Sequence, residues 1–184
     1  LEAVQGLNVT LTRYPGGNFV SNYNWLDGVG PKENRPPRLE LAWNRLESNQ
    51  FGTNEFMDYA KLMNTEAYFA VNLGTGTIQE AQHWVEYTNV ESGPYYAELR
   101  KKHGYEKPHK ITYWGLGNEM DGPWQLGHKS ADDYATVAAD VARGMLQISG
   151  EIELVACGSS NRAMPTFAAW EETVLEKTYS LVDH

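Results

Sequence analysis

Four short apolar segments, LNVTLTRY, AYFAVNL, ITYWGLG and IELVACG, constrain the fold of this chain more than any other feature. They carry the β-branched and aromatic residues of strands. They lack the strict alternation of strands with one wet face, so the expectation is strands covered on both faces. Each runs straight into glycine and small polar residues: PGGN, GTGT, NEMDG and SSN. Between the segments lie stretches with helical period. TIQEAQHWVEYTN opens with Thr77 and Glu80 at capping-box spacing and sets Ile78, Ala81, Trp84 and Val85 on one face. A second helix is expected from Ser130, with Asp133 three residues on and Tyr134, Val137, Ala138, Val141 and Met145 as its apolar stripe. Weaker candidates start near Thr53, with Phe56, Met57, Ala60 and Met63, and near Thr166, with Phe167, Trp170 and Val174. Strands alternating with helices predict right-handed βαβ units and an α/β fold with a parallel sheet.

Such a sheet gathers the loops that leave the carboxyl ends of its strands on one side. The polar residues after the four segments are therefore expected to meet: Asn18, Asn72, Asn118, Glu119, Asp121, Ser159 and Asn161. Glu119 is prominent among them, because a carboxylate at the end of a buried strand is held by rigid backbone and faces the shared cleft. The loop from Tyr14 to Leu46 is too long to be a plain connection, so it is expected to be functional or to hold structure of its own. Its Tyr14, Phe19, Tyr23, Trp25 and Trp43, interleaved with Asn and Asp, suit the apolar face and hydroxyl rim of a sugar ring. The basic stretch RKKHGYEKPHK reads as a solvated loop ahead of the third strand.

Other chemistries find little support. A net charge of -9, from 24 acidic and 15 basic side chains, disfavours nucleic acid as a partner. No apolar run approaches the roughly 20 residues that cross a bilayer, and the first residues do not read as a signal peptide. GTGT lacks the third glycine of a dinucleotide loop, since Gln79 stands there. The five histidines show no metal-binding spacing, so neither metal nor cofactor is expected. Ser159 and Ser160 sit in no nucleophile elbow. Cys157, the single cysteine, reads as a packing residue.

RYPGGNFVSNYNWLDGVGP, AVNLGTGT, WGLGNEMDGPWQLGH and ELVACGSSNRAMPTF, in this order, resemble the family 51 glycoside hydrolases, the α-L-arabinofuranosidases. The resemblance covers essentially the whole chain. It implies a (β/α)8 barrel, of which residues 1–184 would be one truncated domain holding strands two to five and the start of strand six at LVDH. Leu1, Val4 and Leu7 would then be the tail of the helix after strand one. It also implies that Glu119 is the general acid/base and that Asn118 binds a sugar hydroxyl. Arg13 and Asn18 would line the sugar pocket, and Trp43 would hold substrate. Burial among Trp114, Met120 and Trp124 would favour the protonated acid. The family's nucleophile is a glutamate at the end of strand seven, and no motif gives Asp27, Glu33 or Asp121 that role. The implied substrate is a terminal arabinofuranosyl group of arabinan or arabinoxylan, in the cytoplasm. The implied partners are a complementing barrel half or further copies of the chain. A sugar-binding or self-associating half-barrel without catalysis, and an endo-acting glycanase of the same family, are the alternatives.

Overall fold

The computed structural model describes residues 2–184; Leu1 lies outside them. After a short helix α1 (Glu2–Gln5), the chain runs β1 (Leu11–Tyr14), β2 (Arg38–Glu40), β3 (Arg45–Glu47), α2 (Thr53–Met63), β4 (Glu66–Val71), α3 (Ile78–Asn89), α4 (Tyr95–Lys102), β5 (Tyr113–Leu116), α5 (Ala131–Ile148), β6 (Glu153–Val155) and α6 (Ala169–Thr178). Strands β1, β4, β5 and β6 form one sheet in that order, and every pair is parallel. Strands that neighbour in sequence thus neighbour in space, each joined to the next through at least one helix.

The register explains why the sheet holds. Tyr14, Phe69, Trp114 and Leu154 lie in one row across the four strands, and all four are buried. Phe56 and Met57 of α2, Trp84 and Val85 of α3, Tyr134 and Ala138 of α5 and Trp170 of α6 join them in one apolar core. Burial of each large side chain contributes about 1.5–3 kcal/mol, so this face dominates the stability. The next row, Arg13, Tyr68, Tyr113 and Glu153, is exposed or half-buried. The expectation of strands covered on both faces therefore holds for one face only. The other is an open groove lined by Leu11, Tyr68, Tyr113 and Val155, because no helix of the described residues crosses to that side.

The helix signals were well placed. Thr77 Oγ1 accepts the Glu80 N–H at 3.1 Å while the Glu80 carboxylate accepts the Thr77 N–H at 2.6 Å. Ser130 Oγ accepts the Asp133 N–H at 3.2 Å. Helix α2 begins at Thr53, but its capping carboxylate is Glu55, which accepts the Gly52 N–H. Close packing requires glycine at position 52: a Cβ there would lie 1.7 Å from the Gly28 carbonyl oxygen. Helix α6 starts three residues later than Thr166, which leaves Phe167 outside it and exposed. The carboxyl-terminal residues run beside β6, with the Ala156 N–H donating to His184 O and the His184 N–H to Leu154 O, as an incipient sixth strand would.

The basic stretch is not a solvated loop. Arg100 is completely buried in α4 and donates to the backbone carbonyls of Tyr87, Val90, Glu91, Tyr105 and Glu106. It ties the end of α3 to both ends of α4. Beyond it a hydrogen-bonded chain joins four elements. His109 Nε2 meets Asn54 Oδ1 at 2.8 Å, Asn54 Nδ2 donates to the Tyr87 hydroxyl at 2.7 Å, and that hydroxyl meets His103 Nδ1 at 3.0 Å. The directions interlock: His109 donates, His103 accepts, and both are neutral. Burial lowers the His109 pKa to about 4, reinforced by Lys61 and Arg100 and opposed by Asp58. Burial and Arg35 lower that of His103.

Two outcomes follow. Arg100→Ala strands up to five carbonyls and is expected to cost about 3–5 kcal/mol in urea denaturation, with Arg100→Lys recovering little because an ammonium cannot span the fork. The second concerns pH. An unfolded histidine titrates near 6.5 and the folded His109 near 4, so its stabilising contribution is full above pH ~6.5 and is lost as pH falls towards 4. Thermal melts across that window should decline for the wild type and flatten for His109→Gln.

Candidate active site

The carboxyl end of β5 is where the backbone departs from regular geometry. Gly117 has φ 93°, and Glu119 has φ 45°, in the left-handed region that costs a non-glycine residue about 1–3 kcal/mol. The chain between them turns sharply, so the Glu119 side chain leaves the strand line while Asn118 stays buried. The turn is closed by the Gly122 N–H donating to Glu119 O at 2.9 Å. It brings Trp124 back over Gly122, and its indole Nε1–H donates to Glu119 Oε2 at 2.8 Å. Glu119 is half-buried and Trp124 is 51% exposed, so the carboxylate is not enclosed by Trp114, Met120 and Trp124 as its sequence neighbourhood had indicated. Trp114 and Met120 point into the core instead.

A second chain of contacts fixes the residue beside it. Arg13 Nη2 donates to Asn118 Oδ1 at 3.2 Å, and Asn118 Nδ2 donates to Asn18 Oδ1 at 3.1 Å. A guanidinium can only donate, so it sets the orientation of the Asn118 amide. The loop carrying Asn18 is anchored from below by Gln125, whose amide reaches both Asn18 O, at 3.5 Å, and the hydroxyl of the fully buried Ser21. Arg13, Asn18, Asn118 and Glu119 thus come from two strand ends and form one polar cluster. Beneath it Tyr134 bridges the strands, its hydroxyl donating to Leu116 O and accepting the Cys157 N–H.

The other expected residues are distributed differently. Asp121 accepts the Ser160 N–H, at 3.1 and 3.2 Å, and the Ser160 hydroxyl, joining the loops after β5 and β6. Ser159 turns away to Glu171, and Asn161 caps its own turn at Ala163. Asn72 holds the turn at Gly74 and Thr75. Of the loop aromatics, Tyr14, Tyr23 and Trp25 are core residues: Trp25 stacks on Trp84 at 6.0 Å and Tyr14 on Phe56 at 4.9 Å. The loop is long because it must wrap this cluster, not because it is a sugar platform throughout. Phe19 is half-buried, and Trp43 stands 66% exposed at the tip of the β2–β3 ribbon, with no contact to the polar cluster. Burial pushes the Cys157 thiol up to about 11, which disqualifies it as a nucleophile near neutral pH. Asp27 is paired with Arg38. The roles of Trp124 as a donor to Glu119 and of Gln125 as a brace were not legible in sequence. The Gly122-Pro123 turn that folds Trp124 back was their one available signal.

Known proteins share the sequence and fold of this chain. The family model for the alpha-L-arabinofuranosidase 1 domain matches residues 3–184. The intracellular exo-alpha-(1->5)-L-arabinofuranosidase 1 of Bacillus subtilis strain 168 is 58% identical over 98% of this chain and 36% of its own length. An exo-alpha-(1->6)-L-arabinofuranosidase of Bifidobacterium longum is 53% identical over the whole chain and 35% of its own length. Among solved structures, a family 51 alpha-L-arabinofuranosidase from Bifidobacterium longum superposes with a TM-score of 0.97 at 49% identity, over 99% of this chain and 36% of that one. The arabinose complex of the Thermotoga maritima alpha-L-arabinofuranosidase gives 0.93 at 44% identity, over 99% and 36%. The chain spans about a third of the length of these relatives. With the family match, the identities and the shared fold all in agreement, this chain belongs to the alpha-L-arabinofuranosidase 1 domain family.

Proposed function

We propose that residues 1–184 are a single piece of a (β/α)8 catalytic domain and supply the acid/base side of a retaining α-L-arabinofuranosidase site. The observation that carries the reading is Glu119, held at strained φ at a strand end beside an Asn118 whose amide Arg13 has already oriented. Strain of this kind persists where the surroundings enforce it, and it clusters at catalytic positions. Glu119 protonates the glycosidic oxygen as the bond to the anomeric carbon breaks; a second carboxylate about 5–5.5 Å away attacks that carbon from the opposite side. Glu119, now ionised, then takes a proton from the water that releases the sugar. The attacking carboxylate comes from polypeptide outside these 184 residues.

Asn118 and Asn18 hold sugar hydroxyls without adding charge, and Arg13 keeps their amides in register. Trp43, exposed at the tip of the ribbon, offers an aromatic face to the substrate. The substrate is a terminal arabinofuranosyl group of an arabinose-containing oligosaccharide or polysaccharide. Relatives named for (1->5) and for (1->6) linkages are 58% and 53% identical to this chain, so overall similarity does not choose between the two linkages. We place the protein in the cytoplasm, by analogy with relatives named as intracellular. No helix among the described residues is long and apolar enough to cross a membrane.

The test uses an aryl arabinofuranoside with this chain alone and then with the polypeptide that completes the barrel. Activity should appear only in the mixture. Glu119→Gln should lower it by about 10²–10⁴-fold, and by much less for a dinitrophenyl leaving group that needs no proton. An equally active Glu119→Gln mixture, on a poor leaving group, would end the reading.

A further inference from the structure

Trp124 is held in place by something other than burial. It lies outside the apolar core and is 51% exposed, so the hydrophobic effect accounts for little of its position. Backbone bonds fix the turn that carries it: the Gln125 N–H donates to Gly122 O at 2.9 Å, and the Lys129 N–H to Met120 O at 2.8 Å. The next residue, Gln125, is buried, and its amide donates to the hydroxyl of Ser21 in the loop after β1. The segment is also wedged between two loops, since a Cβ on Gly74 would lie 2.5 Å from Leu126 O and 2.6 Å from Ser21 O. The indole therefore stands on a rigid support, and its one polar atom is directed at Glu119 Oε2.

That bond makes the two carboxyl oxygens unequal. An indole N–H can only donate, so the oxygen it meets must accept in either protonation state of the acid. In a neutral carboxylic acid the carbonyl oxygen is the better acceptor. Oε2 is then the carbonyl oxygen, and the proton belongs to Oε1. Among the described residues Oε1 has no hydrogen-bond partner, which leaves it open to a glycosidic oxygen. The fit leaves little slack: a Cβ on Gly122 would lie 2.5, 2.7 and 2.8 Å from three atoms of the indole, so only glycine lets the ring reach the carboxylate.

We propose that Trp124 is a positioning residue for proton transfer: its N–H holds Oε2 as the carbonyl oxygen and so assigns the transferable proton to Oε1. The proposal rests on the acid/base reading of Glu119. As the glycosidic bond breaks, the O–H bond at Oε1 breaks with it; the proton passes to the leaving oxygen and the electron pair stays on the carboxylate. Oε1 then takes the proton from the water that releases the sugar, while Oε2 keeps its bond to the indole throughout. Trp124 itself neither gives nor takes a proton. The competing role for an exposed tryptophan is a stacking face for a sugar ring, which needs the ring and not its N–H.

The test compares a phenyl with a dinitrophenyl arabinofuranoside, using this chain together with the polypeptide that completes the barrel. Trp124→Phe keeps an aromatic ring and loses the donor. It should lower kcat/KM about tenfold or more on the phenyl substrate and less than about twofold on the dinitrophenyl one, because only the first leaving group needs the acid. Gly122→Ala, which displaces the indole without removing its N–H, should give the same selective loss. Gln125→Leu loosens the same turn without touching the carboxylate and should slow both substrates alike. The ratio of the two rates does not depend on how much of a variant is folded, so a partly misfolded sample still reports. An equal loss on both substrates for Trp124→Phe, as stacking or loosening would give, overturns the proposal, and so does no loss on either. Glu119→Gln separates the two readings. If it slows the phenyl substrate selectively and Trp124→Phe does not, the positioning role alone falls; if it is fully active on the phenyl substrate, the acid/base reading falls and the positioning role with it.

Discussion

The structure depends on one row of side chains, Tyr14, Phe69, Trp114 and Leu154, laid across four parallel strands. Their burial against the helices fixes the register of the sheet, because a slip of one residue would turn each strand's apolar set to the open side. Fixed register in turn sets which residues end the strands together. Asn118 and Glu119 follow the last residues of β5, Arg13 sits in β1, and the contact between Arg13 and Asn118 spans β4, which lies between them. A polar cluster at the sheet's end is thus a geometric result of an apolar row in its middle.

The polar cluster at the sheet's end combines rigid and strained parts. Tyr134, Gln125 and Ser21 are buried and brace the loops beneath it. Above them, Glu119 occupies a backbone conformation that it would avoid in isolation, and Trp124 steadies its carboxylate by one hydrogen bond. The tightly packed aromatic core stabilises the fold enough to support this local cost. The same division explains why Tyr14, Tyr23 and Trp25 serve packing although they lie in the loop that leads to the site.

The open groove opposite the helices and the exposed β2–β3 ribbon both present apolar surface to solvent. They have different chemistry. The groove mixes Tyr68 and Tyr113 with Glu66 and Glu153, whereas the ribbon sets Leu39 opposite Leu46, with arginine opposite glutamate on either side.

The sequence by itself determined the alternation of strands and helices, the capped starts at Thr77 and Ser130, and the placement of Asn118 and Glu119 at a strand end. These are local matters, set by hydrophobic period, capping chemistry and glycine. The family resemblance, carried by long contiguous blocks, was equally legible, and from it came Arg13 and the pocket role of Asn18. Tertiary structure alone decided which face of the sheet was covered, that Arg100 is buried, and that the half-buried His109 is hydrogen-bonded to Asn54 rather than part of a solvated basic loop. It also decided that Trp124 turns back onto Glu119, and that residues 38–47 form a ribbon. Each of these rests on a partner distant in sequence or on a turn whose direction depends on packing. No period or propensity records such partners, because the free energy that selects them belongs to the assembled core.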